Sequence, residues 1–371
     1  MLVTGADTFW GGRVLRSLEA DPTMEVLVGL GTRAPSMPLE RAEFVRADET
    51  YSILRRIVDA TQVDTVIHTF LLVDSSFAST RTLHEVNVIG TMNLLAACGD
   101  ATSSVRQLVM KSSGLVYGST ERDPNTFSEE TPRARPPRTD IERSLIEAEA
   151  LVVDFAEENP QTAVSVLRCA NVLGPDIVTS IGKNLSRPLC PVIFGFDPLV
   201  QFVEEGDVVR ALEFATREHL AGTFNVAGDG RLAWSEVVSL CGSRRLPLPP
   251  ILPSLPIAAL VRLGVYGFPP ELEALLRYGR GLETARLRAA GFEYCFTSAA
   301  TVEQFARHLR QAKGAGRETT YVYEHDVEQF FRHSPAVVRR PSPVGPSRGD
   351  ATAGRRSRYP TDTSRAVRRP H

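Results

Sequence analysis

With 371 residues, 43% of them hydrophobic and 23% charged, and a formal net charge of −2, the chain suits a soluble globular protein of roughly one to three domains with a sizeable core. The near-neutral balance excludes a bulk electrostatic case for nucleic acid or an anionic membrane as partner, and no apolar run reaches the ~18 residues of a bilayer-spanning helix. Five dispersed cysteines (Cys98, Cys169, Cys190, Cys241 and Cys295), with no Cys-x-x-Cys and no histidine at ligand spacing, fit reduced thiols in a cytoplasmic protein and offer no metal site.

In chain order, short apolar runs alternate with helical patterns. The strand-like runs are "MLVTG" (1–5), "EVLVGL" (25–30), "AEFVRAD" (42–48), "VDTVIHTF" (63–70), "VRQLVMKS" (105–112) and "AVSVLRC" (163–169). Helix-like segments fall near 10–20, 50–60, 81–99 and 141–158. The strand runs are nearly all apolar, as expected for strands covered on both faces. Strand–helix repetition then predicts an α/β fold: a doubly wound parallel sheet with ligands beyond the carboxyl ends of its strands. No signal peptide is read at the start. The first strand is unusually short, so either the chain begins abruptly or the true start lies upstream.

After about residue 175 the rhythm breaks into short elements between turns such as "LPLPPILPSLP" (246–256) and "GFPPE" (267–271). "LPIAALVRLGVYGF" (255–268) is read as a packed helix, and 300–313 as an amphipathic one. From about Ser334 the chain is rich in Pro, Arg, Ser and Thr. Such a segment cannot offset its ordering entropy by burial, so 334–371 is expected to be disordered. Its arginines could touch nucleic acid or acidic lipid, but the plainer reading is a solvated tail without a specific partner.

"TGADTFWGGRVL" follows the first strand and opens a helix. Gly5, Thr8 and Gly11 occupy the three positions of a Gly-x-x-Gly-x-x-Gly loop, which with Phe9 and Trp10 would hold a pyrophosphate at the helix N-terminus. Thr8 crowds the middle position, though its hydroxyl could bond a phosphate oxygen. After the second strand, where a dinucleotide site usually places an acid, the chain offers Leu30, Gly31, Thr32 and Arg33. Arg33 is either a partner for a 2′-phosphate or an ordinary loop arginine. Asp48 either bonds the adenine amino group or caps the next helix.

Eight segments in order carry a resemblance: "TGADTFWGG" (4–12), "RAD" (46–48), "VDTVIH" (63–68), "NVIGTMNLLAAC" (87–98), "KSSGLVYG" (111–118), "LRCANVLGP" (167–175), "QFVEEGDVVRAL" (201–212) and "GTFNVAGDG" (222–230). Through them the chain resembles the extended short-chain dehydrogenase/reductase superfamily in its NAD-dependent epimerase/dehydratase branch, including divergent UDP-glucose 4-epimerase-like members. The resemblance implies a Rossmann-type dinucleotide-binding domain over 1–175, with segments returning at about 200–230, and a smaller substrate-binding lid over 176–333. It implies NAD or NADP as cofactor, a nucleotide-linked sugar as ligand, and a homodimer built with the helix at 81–99. Ser113 matches the Ser/Thr that bonds the reacting oxygen, Asn87 a helix asparagine that supports the cofactor site, and Asn171 and Gln201 substrate-binding positions. Tyr117 matches a structural tyrosine.

That activity uses a tyrosine as base and, four residues on along one helix face, a lysine that lowers its pKa. "TDIERSLIEAEALV" (139–152) carries Ile141 and Leu145 in those places. Slippage does not restore the pair. The positions four before Lys111, Lys183 and Lys313 are Gln107, Thr179 and Leu309. Whether the chain is an enzyme is therefore open, the alternative being a catalytically silent dinucleotide- or sugar-nucleotide-binding sensor or scaffold.

Overall fold

The structure is a computed structural model that describes residues 1–35, 37–250 and 268–314. The sequence expectations for the helix at 255–268, all but Phe268, and for the tail at 334–371 lie outside the described residues, as do 315–333 of the expected lid. The described residues belong to one compact unit.

The chain runs β1 (Leu2–Thr4), α1 (Phe9–Leu18), β2 (Val28–Gly31), β3 (Glu43–Arg46), α2 (Tyr51–Thr61), β4 (Thr65–His68), then a continuous helical stretch and β5 (Gln107–Ser113). The helical stretch is α3 (Thr80–Leu83), a π-helical segment His84–Gly90 and α4 (Thr91–Cys98). β6 (Thr126–Phe127), α5 (Asp140–Glu158) and β7 (Ala163–Cys169) follow. Next come β8 (Asn171–Leu173), α6 (Ser180–Leu185), β9 (Leu189–Ile193), β10 (Leu199–Val200), β11 (Phe202–Glu204), α7 (Glu205–Arg217) and β12 (Gly222–Val226). The remainder holds β13 (Leu232–Ala233), α8 (Trp234–Leu240), β14 (Arg244–Leu248), a helix at Pro270–Tyr278, β15 (Gly281–Leu282), and helices at Ala285–Ala289 and Ser298–Gly314.

The central sheet has the order β12-β7-β5-β4-β1-β2-β3, with every pairing parallel. Successive strands step outward from β1 in both directions, so the order reverses between β1 and β4. A crevice at the carboxyl ends opens at such a point. The apolar runs become buried strands as expected, except that β3 lies at the sheet edge and is partly exposed. β12 returns from beyond residue 220 to pair with β7.

Two apolar layers cover the sheet. One packs α1 and α7 residues such as Trp10, Val14, Leu15, Val208 and Leu212 against Val3, Ile67, Val109 and Leu167. The other packs Leu54, Val58, Leu94, Ile141, Leu145, Ala148 and Val152 against Leu2, Val66, Leu108 and Met110. The period-2 alternation of the strands sends neighbouring residues to opposite layers. A third cluster, with Trp234, Phe202, Leu272, Leu276 and Val302, holds the later elements together. Among the described residues no helix is long and apolar enough to cross a membrane.

His68, at the end of β4, is fully buried, with Nε2 2.9 Å from Thr91 Oγ1 and Nδ1 without a partner. Burial pushes its pKa down to about 3. A histidine that stays neutral in the fold but titrates near 6.5 when unfolded costs stability as pH falls from about 6.5 towards 3. Urea unfolding should lose about 1.4 kcal/mol per pH unit in that window from this residue. A His68→Gln variant, which can still reach Thr91, should lack that component; equal pH slopes in the two proteins would contradict it.

Candidate functional site

The β1–α1 junction is built by close backbone approach. Gly5 has φ +72°, and a Cβ there would lie 2.9 Å from Phe70 Cβ. A Cβ on Gly11 would lie 2.1 Å from the Gly5 carbonyl oxygen, so only glycine lets α1 start this close to the strand. Thr8 is the N-cap: its Oγ1 donates to Gly5 O at 2.7 Å and accepts from Gly11 N at 3.2 Å. Its hydroxyl proton is thus committed to the loop itself, not held out for a phosphate. The N–H groups of Phe9 and Trp10 make no hydrogen bond among the described residues. Trp10 is turned into the core and packs edge-on to Phe9 at 5.0 Å, so it does not cover the loop.

A carboxylate from the loop reaches the end of β2. Asp7 accepts from Thr32 Oγ1 at 3.0 Å and from Arg33 N at 3.1 Å, and lies 3.7 Å from Arg33 Nε. Gly31 makes room for it, since a Cβ there would meet Asp7 Oδ1 at 2.5 Å. Asp48 accepts from Thr50 N at 3.3 Å, a local turn ahead of α2; the N-cap itself is Thr50, which makes no side-chain cap bond, so Asp48 does not cap the helix. Beside it the Glu49 carboxyl is pushed up to about 7, by burial first and then by the charges of Asp7 and Asp48.

At the carboxyl ends of β5 and β7 lies a cavity of about 100 Å³ whose polar lining includes Asp74, Lys111, Ser113, Asn171, Glu271 and Arg280. Ser113 Oγ accepts from Leu115 N at 3.3 Å, which caps the turn at Gly114–Tyr117 and leaves its own proton to donate. Asn171 Nδ2 donates to Gln201 O at 3.0 Å. Asp74 accepts from the backbone N–H groups of Ser76 and Ser180, and from Ser180 Oγ. Glu271 accepts from both N and Oγ of Ser75, while burial raises its pKa. Arg280 is buried, its guanidinium has one 3.5 Å bond to Gly118 O among the described residues, and burial lowers its pKa to about 10.

Three positions singled out in the sequence stand outside this lining. Gln201 spends its amide on Gly228 O and Leu282 N. Asn87 bridges Leu72 N, Leu72 O and Ser144 Oγ, tying the loop after β4 to α5. Tyr117 donates to Asn225 Oδ1 at 2.8 Å, accepts from Arg168 at 2.9 Å and stacks on Phe127. Ile141 and Leu145 are fully buried in the layer beneath α5. Their polar neighbours are engaged elsewhere: Glu142 with Arg133, and Asp140 with Thr80 and Arg143.

The model of the NAD dependent epimerase/dehydratase family matches residues 1–227. The chain belongs to this family. An uncharacterized protein of Mycobacterium tuberculosis is 36% identical over 92% of this chain and 90% of its own length. Among solved structures, MoeE5 in complex with UDP-glucose and NAD superposes with a TM-score of 0.65 at 21% identity, covering 84% of this chain and 99% of its own. The dTDP-glucose 4,6-dehydratase DesIV from Streptomyces venezuelae, with NAD and TYD bound, gives 0.64 at 21%, covering 85% and 98%. At these identities the structural likeness is one of fold.

Within the family frame, sequence reasoning passed over Asp7, Lys111, Glu271 and Arg280. Asp7 acts across 25 residues. Glu271 and Arg280 arrive from a segment with no motif. Lys111 had a signal: it is one of only three lysines and interrupts an apolar central strand. The Gly11 contact yields a direct test. Gly11→Ala should cost about 3 kcal/mol or more in urea unfolding, because every atom it meets is backbone. Gly12→Ala, whose Cβ would meet Ala6 O at an ordinary 3.4 Å, should cost under about 1 kcal/mol. Similar losses at both sites would refute the close-approach account.

Proposed function

We propose that the chain is an NAD-dependent epimerase/dehydratase-type protein that takes a nucleotide-linked sugar. The cofactor's pyrophosphate would sit on the amino end of α1 and the sugar in the cavity beyond β5. One observation carries this reading: the unengaged Phe9 and Trp10 amides and the cavity with Ser113 stand at the same carboxyl edge of the sheet, beside the switch point. The bound molecules named for MoeE5 (UDP-glucose and NAD) and for DesIV (NAD and TYD) support it.

The residues present fit such a cofactor. Gly5 and Gly11 bring backbone close enough for amides to meet a pyrophosphate, and Thr8 fixes the helix start. When bound, NAD supplies a two-electron acceptor and donor. Ser113 holds a ligand oxygen with its spare proton, and Asn171 borders the same space. The nearly unpaired Arg280 guanidinium suits a phosphate-bearing ligand. Asp7 favours NAD over NADP: a 2′-phosphate at the end of β2 would meet this carboxylate, and Arg33 is already beside it.

A second reading, a silent sensor or scaffold, is favoured by the burial of Ile141 and Leu145 where the sequence resemblance puts an acid–base pair. For assembly, the exposed apolar side chains Ile89 (38%), Met92 (44%) and Val153 (50%) on the neighbouring helices 80–98 and 140–158 support a homodimer through that face.

NAD at 100 times its dissociation constant should add about 2.7 kcal/mol of stability in a thermal shift. The absence of any shift with NAD, NADP and UDP-sugars would remove both readings. Under anaerobic conditions, appearance of reduced-nicotinamide absorbance with a sugar-nucleotide panel separates the enzyme from the silent binder. Asp7→Ala should shrink the preference for NAD over NADP; an unchanged ratio would discard Asp7 as its source. Met92→Glu combined with Val153→Glu should convert a dimer to a monomer by light scattering, and a dimer that survives them lies on another face.

A further inference from the structure

Lys111 is the least expected member of the cavity lining. It follows the last β4–β5 pair, His68–Met110, and pairs with Leu167 on β7. The alternation of β5 is clear from its contacts. Val109 packs in the α1/α7 layer with Cys169 and Trp10, Ser112 bonds Glu149 of α5 on the other side, and Lys111 shares its face with Val109 and Ser113. The lysine is 2% exposed. Its Nζ lies 4.8 Å over the Trp10 ring and makes no hydrogen bond or ion pair among the described residues.

A structural role does not account for it. Burying an ammonium costs several kcal/mol even after relaxation. A desolvated cation–π contact returns about 2 kcal/mol. The carboxylates of the cavity do not pair with it, since Asp74 is held by Ser76 and Ser180 and Glu271 by Ser75. An aliphatic side chain in this strand position would be more stable. Burial accordingly lowers the Lys111 pKa, which moves the amine towards its neutral, proton-accepting form.

We propose that Lys111 is the proton acceptor and donor of this cavity, exchanging a proton with the ligand hydroxyl that Ser113 holds; this rests on the NAD-dependent reading above. In the oxidative direction the ligand O–H bond breaks and an N–H bond forms on Nζ, giving the ammonium. The carbinol carbon becomes a carbonyl as its hydrogen and two electrons pass to the nicotinamide already required by that reading. The reverse direction returns the proton to the oxygen. The ammonium formed lies over the Trp10 face, in the same cavity as the two carboxylates. The other titratable groups around it are the Cys169 thiol on β7, which burial holds up at about 11, and Arg280 beside β15. His68 on β4 faces the opposite layer, towards Thr91.

The three lysines of the chain make the test specific. In protein labelled with ¹³C,¹⁵N-lysine, the Cε–Hε signals should number three, and Lys111→Met should delete one. Should that variant not fold, Lys183→Arg with Lys313→Arg leaves the Lys111 signal alone. The Lys111 midpoint should fall below the ordinary lysine value and should move when NAD is added. In anaerobic NAD reduction with a UDP-sugar panel, Lys111→Met should be slowed about 10²–10⁴-fold, with NAD thermal shift retained. The acid limb of the wild-type profile should follow the Lys111 midpoint. A Lys111 signal that titrates at the ordinary lysine value, a midpoint indifferent to bound NAD, or undiminished turnover in Lys111→Met would each overturn the proton-transfer role while leaving NAD-dependent function intact. A wild type that takes up no NAD, or reduces none with any sugar, overturns the function itself.

Discussion

The missing Cβ of Gly11 sets what can lie at the working edge of the sheet. The start of α1 rests on the Gly5 carbonyl at a distance no side chain permits, so the helix packs directly against the loop of residues 5–8 that leaves β1. Two consequences follow from that placement. The first amides of α1, those of Phe9 and Trp10, stand at the carboxyl end of β1 and make no hydrogen bond among the described residues. Trp10, the second helical residue, is buried in the α1/α7 layer, where its ring lies 4.8 Å from Lys111 Nζ. The close start of α1 and the environment of the lysine are thus one constraint seen from two sides.

On the opposite face, α5 is a packing helix. Thr139 caps it, Asp140 and Glu142 sit in its first turn where the helix dipole favours acids, and Ile141, Leu145, Ala148 and Val152 form its buried stripe. The polar groups it does bury are internally satisfied: Ser144 with Asn87, and Glu149 with Ser112 and Arg168. Arg168 in turn reaches Tyr117, which is fixed by Asn225. This network links α5 and β5 through β7 to β12 and leaves no titratable side chain of α5 in the cavity lining.

What the sequence reveals follows physical range. Strand runs and helix patterns are local, so β5, β7 and α5 emerge within a residue or two of their expected ends. The glycine loop is equally local, since its function is written in backbone conformation. Thr8 was legible as a crowded middle position but not as a cap, because a hydroxyl's choice between the loop's own groups and a ligand depends on geometry. The partners of Asp7, and the arrival of Glu271 beside Ser75 across 196 residues, depend on the folded chain. The strand period places Lys111 and Ser113 on one face from sequence alone; what it does not supply is that the ammonium finds no acceptor there.

The buried side chains of α5 and of β5 differ in energetic sign. Filling positions 141 and 145 with aliphatic side chains adds about 1.5–3 kcal/mol of burial each, so stability alone explains them. Placing an ammonium at 111 costs more than its aromatic contact returns. A residue that lowers stability within a well-packed strand, at the mouth of a cavity and on the face of a serine with a free proton, calls for an explanation outside stability. The ionisable amine of this region thus stands on the strand that ends in the cavity, while α5 places no side chain in its lining. A lysine on a central strand is held more rigidly than one on a surface helix, and its basicity is set by depth of burial rather than by a partner.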